Sequence, residues 1–209
     1  MTGDRFFDDH QRATIEAAMA RIIPTDDLPG AREAGTIDFL DRYLAGLGSI
    51  YAKPDGSGFE ELVGKRAEAW RRRLDTIRSG YVAGVAELDG RSRTAFGADF
   101  TGLDASQQDT ILAEFEPRDG SSAGDGDAPA LQQTRAEIDL DFFPLLCLHT
   151  RQGFYADPIY GGNRGHVGWD VIGFPGPASL AEVHTGRYST LAWFAEHQPD
   201  RDVETDHGA

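Results

Sequence analysis

The side chains that could do chemistry are concentrated between residues 153 and 177. Asp157 and Asp170 are carboxylates of the kind that general acid–base catalysis uses, and His166 lies beside a glycine-rich stretch. Asp157 also precedes Pro158, so its carboxylate can cap the backbone amides beyond the proline. Capping explains both aspartates more simply than catalysis does, and His166 fits an ordinary exposed or hydrogen-bonded histidine. The sequence therefore assigns no catalytic residue to this chain.

The common cofactor and metal motifs are missing from the sequence. No G-x-G-x-x-G follows an expected strand, which argues against FAD or NAD binding by this chain, and neither a P-loop nor a G-x-S-x-G elbow is found. The six histidines include no H-E-x-x-H pair, and Cys147 is the single cysteine. One cysteine allows no intrachain disulfide and no cysteine-built zinc or iron–sulfur site. We predict that this chain alone binds no cofactor and no metal.

Residues 153–177 have the composition of a binding loop. Aromatic residues alternate with glycine and proline at no helical or strand period, so the backbone cannot pair its polar groups in a regular ladder. Gly161 and Gly162 permit a positive φ, and Asn163 tolerates one. Large aromatic side chains bring contact area at a small entropic cost, as interface anchors do.

Two interpretations of this segment stay open, a partner-binding loop and a rigid loop packed on the chain's own helices. Under the first, the residues predicted to contact a partner are Tyr155, Asp157, Pro158, Tyr160, Gly161, Gly162, Asn163, His166, Trp169, Phe174 and Pro175.

Helical periodicity dominates the rest of the sequence. Apolar residues at helical spacing predict helices over 11–23, 31–47, 59–88, 105–115 and 131–152, with a loop over 117–129. Pro24 ends the first helix, and Asp104 is placed to cap the fourth. Gly80 and Gly84 could break the long third helix, whereas Pro144 indicates a kink or a helix start.

We therefore expect an all-α fold, a single-domain helical bundle over residues 1–209. Its helical part covers about 8–152, followed by the irregular partner-binding segment 153–177 and a C-terminal tail over 178–209, which could add a contact helix. The formal net charge of −15 excludes nucleic acid as a partner, because phosphate backbones need concentrated positive charge. No apolar run approaches the roughly 20 residues needed to span a bilayer.

Two sequence blocks resemble one known family. D-P-I-Y-G-G-N at 157–163, followed by G-W-D-V-I-G-F-P-G at 168–176, is similar to the signature of the gluconate 2-dehydrogenase subunit 3 family. Residues 11–35 resemble the opening block of that family, and residues 103–115 do so more weakly. The likeness covers most of residues 10–177, and the two end blocks are its specific part.

The resemblance implies a non-catalytic small subunit of a flavin-dependent sugar, polyol or sugar-acid dehydrogenase. In such complexes a separate large subunit of the glucose–methanol–choline type holds FAD and performs the oxidation, and a cytochrome subunit often takes the electrons. The small subunit supports folding, stability and, in many members, export of the large one. Many members carry a twin-arginine signal, which this sequence does not show. We expect a cytoplasmic location, with the cell envelope or periplasm as the alternative if the chain is exported with its partner.

Two other functions remain open from the residues alone. The chain could be an independent small enzyme, such as a hydrolase or isomerase that uses Asp157 and His166. It could also be an assembly chaperone that leaves the flavoprotein once FAD is loaded.

Overall fold

The computed structural model describes residues 5–115, 137–177 and 180–186. Within these ranges the chain forms seven α-helices and no β-strand, which confirms the all-α fold. The helices are α1 (Asp9–Ile22), α2 (Thr36–Ala45), α3 (Gly64–Phe96), α4 (Ala105–Ala113), α5 (Phe142–Tyr155), α6 (Val167–Val171) and α7 (Leu180–His184). Short 3₁₀ turns cover Leu47–Ser49, Phe100–Gly102, Pro158–Tyr160 and Arg164–His166. Among the described helices, none combines the length and the apolar character needed to cross a membrane.

Two helices begin with the same local device. The Asp8 carboxylate accepts a hydrogen bond of 2.8 Å from the Gln11 amide, and the Gln11 side chain accepts one of 3.2 Å from the Asp8 amide. Asp104 and Gln107 make the same reciprocal pair at the start of α4, with distances of 2.9 and 3.1 Å. Each pair satisfies two amides that a helix start leaves without an intrahelical partner. The predicted cap at Asp104 is therefore confirmed.

Helix α2 begins later than the sequence predicts. Residues 31–35 form turns, and Gly35 has a left-handed backbone (φ 64°) directly before the helix. The chain is held close to the end of α1 here, because a Cβ on Gly30 would lie 2.6 Å from the carbonyl oxygen of Ile23. This close approach fixes the turn before α2 and displaces the helix start from residue 31 to Thr36.

Helix α3 differs from its prediction at both ends and in its middle. It begins at Gly64 rather than at residue 59, and it continues without a break to Phe96. Gly84 is a packing notch instead of a break, since a Cβ there would lie 2.1 Å from the ring of Phe142. At the start of α5, Pro144 lies in the first turn, where its missing amide hydrogen costs nothing, so the predicted helix start is confirmed. Residues 116–136, which include the predicted loop and the first part of the predicted helix, lie outside the described residues.

The core lies between α1, α2, α3 and α5. Helix α2 packs against both α1 and α5, and α3 contacts α1, α2 and α5. The largest fully buried side chains of this core include Ile15, Met19, Leu40, Leu44, Leu74, Ile77, Tyr81, Leu88 and Leu146.

A hydrogen-bonded polar network lies inside this apolar core. Tyr81 donates its hydroxyl hydrogen to Nδ1 of His149 (2.8 Å), and Nε2 of His149 donates to Oε1 of Glu137 (2.9 Å). Tyr43 donates to the same oxygen of Glu137 (3.0 Å), and Arg73 pairs with the other. Burial, with a smaller contribution from Arg73, lowers the pKa of His149 to about 3. The ring is therefore neutral and carries its proton on Nε2, because a carboxylate can only accept.

Three consecutive arginines at 71–73 differ in their environment, and one of them belongs to this network. The third arginine, Arg73, is directed inward to Glu137 and lies over the ring of Trp70. Arg71 and Arg72 are exposed. Arg73 therefore compensates a buried carboxylate, as such a group requires.

We predict that His149 makes the chain sensitive to acid. The native ring stays neutral down to a pKa of about 3, whereas in the unfolded chain it takes up a proton below its ordinary pKa of 6.5. The stability from this group is present above pH 6.5 and is lost as the pH falls toward 3, by up to about 1.4 kcal/mol per pH unit. Urea unfolding of the wild type and of His149→Gln at a series of pH values tests this prediction.

The His149→Gln variant should be less stable at neutral pH but should lose less stability on acidification. His166→Gln removes an exposed histidine instead and serves as the matched control. An equally steep acid limb in wild type and His149→Gln would contradict the prediction.

Candidate functional site

The segment after α5 is attached to α2 and to the 47–60 connection by polar contacts. Oδ1 of Asp157 accepts a hydrogen bond from the Ile159 amide (2.9 Å), which confirms its predicted capping role. Arg42 of α2 donates to the carbonyl oxygen of Ile159 (2.9 Å). The amide of Ala52 donates to the hydroxyl oxygen of Tyr160 (3.1 Å). These contacts hold the 3₁₀ turn at residues 158–160 against the bundle.

Asn163 joins the two ends of the segment. Its side chain is fully buried, and its backbone has a left-handed conformation (φ 47°) that asparagine tolerates better than most residues. The amide nitrogen donates to the carbonyl oxygen of Ala156 (3.0 Å), and the amide oxygen accepts from the backbone of Gly168 (2.8 Å). One side chain thus pairs with a half-buried acceptor at the end of α5 and with a buried donor at the start of α6.

Trp169 also connects the later part of the segment to the end of α5. Its side chain is 7% exposed, and Nε1 donates to the carbonyl oxygen of Tyr155 (2.8 Å). The ring of His166 stacks on the indole, with 4.9 Å between centroids and 6° between planes. Phe174 meets the indole edge-on at 5.3 Å. His166 also has a left-handed backbone (φ 65°), which directs this histidine outward over the indole.

Glycines allow the backbone of the segment to touch the end of α5. A Cβ on Gly162 would lie 2.1 Å from the carbonyl oxygen of Gly153, and one on Gly168 would lie 2.0 Å from that of Phe154. Gly161 has φ 106° and passes close to the backbone of Asp38. Any larger residue at these positions would push the segment away from α5 and α2.

A guanidinium at Arg164 fastens the segment to the start of α2. The Arg164 amide donates to the carbonyl oxygen of Ala34 (2.9 Å), and its side chain pairs with Asp38. Asp38 also pairs with Arg12 of α1, so a single carboxylate links the segment to two helices.

The predicted contact residues divide into an inner and an outer set. Gly162, Asn163 and Trp169 are buried, and they build the segment from within. Tyr155, His166 and Pro175 are exposed, whereas the remaining members are half-buried: Asp157, Pro158, Tyr160, Gly161 and Phe174. In place of a regular ladder, side chains of the segment such as Asn163 and Trp169 supply partners for its backbone. The packed-loop interpretation thus describes the inner side, and partner binding stays a prediction for the outer side.

The predicted contact residues do not include Ile172, although it is exposed. Ile172 follows α6 and is 57% exposed, more than any other large apolar side chain between residues 153 and 177. No local pattern distinguishes Ile172, because Ile159 in the same irregular stretch is half-buried. We name the outer surface formed by Tyr155, His166, Ile172, Phe174 and Pro175 the outer face.

The segment is nearly neutral within a strongly acidic chain. Residues 153–177 contain Asp157 and Asp170 against Arg164, a formal charge of −1 (one arginine minus two aspartates), whereas the whole chain carries −15. Interface cores are depleted of charged residues and enriched in aromatic ones. The outer face has this composition.

Comparison with known proteins identifies a family for most of the chain. A family model described as gluconate 2-dehydrogenase subunit 3 matches residues 9–176, from the first residue of α1 to the end of the segment. No curated protein and no solved structure matches the chain.

We predict that Gly162→Ala destabilises the chain by about 1–3 kcal/mol, the usual cost of forcing an extra group into a packed site. The new methyl group would meet the Gly153 carbonyl, which belongs to helix α5 and cannot move freely. Chemical unfolding followed by circular dichroism measures the change.

Gly80→Ala is the matched control, because Gly80 lies within α3 with open space around its Cα. An alanine there should leave stability unchanged or raise it by up to about 1 kcal/mol, the difference in helix propensity. If Gly162→Ala were as stable as the wild type, the backbone contact between the segment and α5 would not be required for folding.

Proposed function

We propose, from the premise that the chain belongs to the gluconate 2-dehydrogenase subunit 3 family, that it is the small subunit that binds and stabilises a separate dehydrogenase subunit. The partner would be a larger flavoprotein of the glucose–methanol–choline type that holds FAD and oxidises a sugar, a polyol or a sugar acid. A cytochrome subunit would be a further partner that accepts the electrons. In this proposal the chain contributes no catalytic residue of its own.

The outer face is the observation that supports this proposal most directly. It presents Tyr155, His166 and Ile172 on a segment that is held in place by hydrogen bonds of Asn163 and Trp169 and by close glycine contacts. A surface fixed before binding loses little conformational entropy when a partner docks, so more of its contact energy appears as affinity. Exposed apolar and aromatic side chains on such a support are typical anchors of an interface.

The contacts of Asp157 and His166 favour the small-subunit function over the independent enzyme. The carboxylate of Asp157 is occupied as a cap for the Ile159 amide, and the ring of His166 is stacked on Trp169. Both residues therefore have a structural role that explains their position without catalysis. An assembly chaperone would use the same outer face and would differ only in leaving the flavoprotein after FAD loading.

Purification of the tagged full-length chain from its native host tests the proposal. We expect a larger chain to elute with it in a fixed ratio, to show the absorbance of bound flavin and to reduce a dye in the presence of a sugar or sugar acid. Elution of the chain alone, from cells that contain the flavoprotein, would contradict a stable complex. If the chain co-elutes only with a partner that has not yet bound FAD, the result would favour the assembly chaperone.

We predict that Ile172→Arg lowers recovery of the flavoprotein at least tenfold without changing the thermal midpoint of the isolated chain. The reason is that a buried charge at an apolar contact costs binding energy, whereas Ile172 is exposed in the free chain. Val82→Arg is the matched control, because Val82 is a similarly exposed apolar residue on α3. If the flavoprotein is recovered equally well with Ile172→Arg and with Val82→Arg, the outer face is not part of the interface.

A further inference from the structure

Asp89 differs from the other buried carboxylates among the described residues in the cation that compensates it. Asp41 and Glu137 are each paired with an arginine, Arg12 and Arg73 respectively. Asp89 is equally buried, but within the described part of the chain its one salt bridge is with an imidazole, at 2.6 Å from Nε2 of His10, and Arg93 acts on it electrostatically without such a bridge. A guanidinium is a permanent cation, whereas an imidazole nitrogen can exchange its proton for a metal ion. The Asp89 site can therefore accept a different cation.

A third ligand group completes the site. One ligand atom from each of His10, Asp89 and Asp99 lies within 4.8 Å of the other two. The side chains of His10 and Asp99 are 47% and 40% exposed, so the site is open to solvent on one side and closed by Asp89 on the other. This geometry provides an entry path for an ion and a buried anionic wall to hold it.

Both carboxylates are oriented by a second donor. The Phe100 amide donates to Oδ1 of Asp89 (3.0 Å), which leaves Oδ2 directed at His10. Arg93 pairs with Oδ1 of Asp99 in the same way. Hydrogen bonds of this kind, from outside the ligand set, fix the direction of carboxylate ligands in metal sites. The cluster therefore has oriented ligands as well as the right ligand types.

We propose that His10, Asp89 and Asp99 form a structural binding site for one divalent ion of the zinc class. The ion would replace the hydrogen bond between Nε2 of His10 and Oδ2 of Asp89, and water would complete its coordination. One imidazole nitrogen with carboxylate oxygens suits zinc, whereas magnesium and calcium take oxygen ligands. The ion would join the first turn of α1 to the last part of α3 and to the connection before α4.

Zinc titration of the untagged, chelator-treated full-length chain tests this site. We expect calorimetry to give one tightly bound zinc ion per chain and the thermal midpoint to rise on zinc addition, because a ligand that binds only the folded state stabilises it. Binding of Co²⁺ should give the visible absorption of a cobalt ion bound by nitrogen and oxygen. A hundredfold excess of Mg²⁺ should leave zinc binding unchanged, and competition by Mg²⁺ would overturn the zinc-class assignment.

Two variants separate this site from other places that could bind zinc. His10→Gln and Asp99→Asn should each lower zinc affinity at least tenfold. Asp109→Asn is the control, because Asp109 is an exposed aspartate of α4 that pairs with Arg21 in the last turn of α1, at the opposite end of that helix from His10. Asp99 lies at the surface, so Asp99→Asn should keep the helical circular-dichroism spectrum even if His10→Gln does not. Wild-type affinity in Asp99→Asn, or no zinc binding by the wild type at micromolar concentration, would overturn the proposal.

Discussion

Backbone polar groups that leave water must find partners, and residues 156–169 find most of theirs without a long helix or a strand. Asn163 supplies two of these partners, because its side-chain amide donates to the carbonyl oxygen of Ala156 and accepts from the backbone N–H of Gly168. The bond is available only when the backbone of the segment touches α5, which is why glycines occupy the contact positions. If Asn163 were replaced by a residue without an amide, the half-buried carbonyl of Ala156 and the buried N–H group of Gly168 would both lose their partner.

The same requirement organises the polar interior of the bundle. Asp41 accepts from the amides of Phe6 and Phe7 as well as from Arg12, so it anchors the chain before α1 to α2. Glu137 and His149 join α5 and the turn before it to α2 and α3. Each buried carboxylate therefore lies where separate elements meet and requires a specific donor from each, which favours one arrangement of the helices over its alternatives.

The sequence predicted those features that depend on neighbouring residues and missed those that depend on distant ones. The all-α fold, the cap at Asp104 and the turn at Asp157 follow from local patterns and are confirmed. The unbroken α3 could not be foreseen, because Gly84 is explained by Phe142, a residue far away in the chain. For the site, the sequence identified the segment but could not tell its buried members from its exposed ones. The group on which the metal proposal rests, His10, Asp89 and Asp99, is likewise too far apart in sequence to form a motif.

Under the proposed function, the buried and the exposed residues of the segment have different roles. Gly162, Asn163 and Trp169 lie within the range that matches the family, and they serve contacts within the chain. A partner would instead meet exposed residues such as Tyr155 and Ile172, which can change without disturbing the hydrogen bonds beneath them. Under the proposed function, one folded support could therefore serve different dehydrogenases. Its fold would be maintained by the inner set, and its specificity would be determined by the outer face.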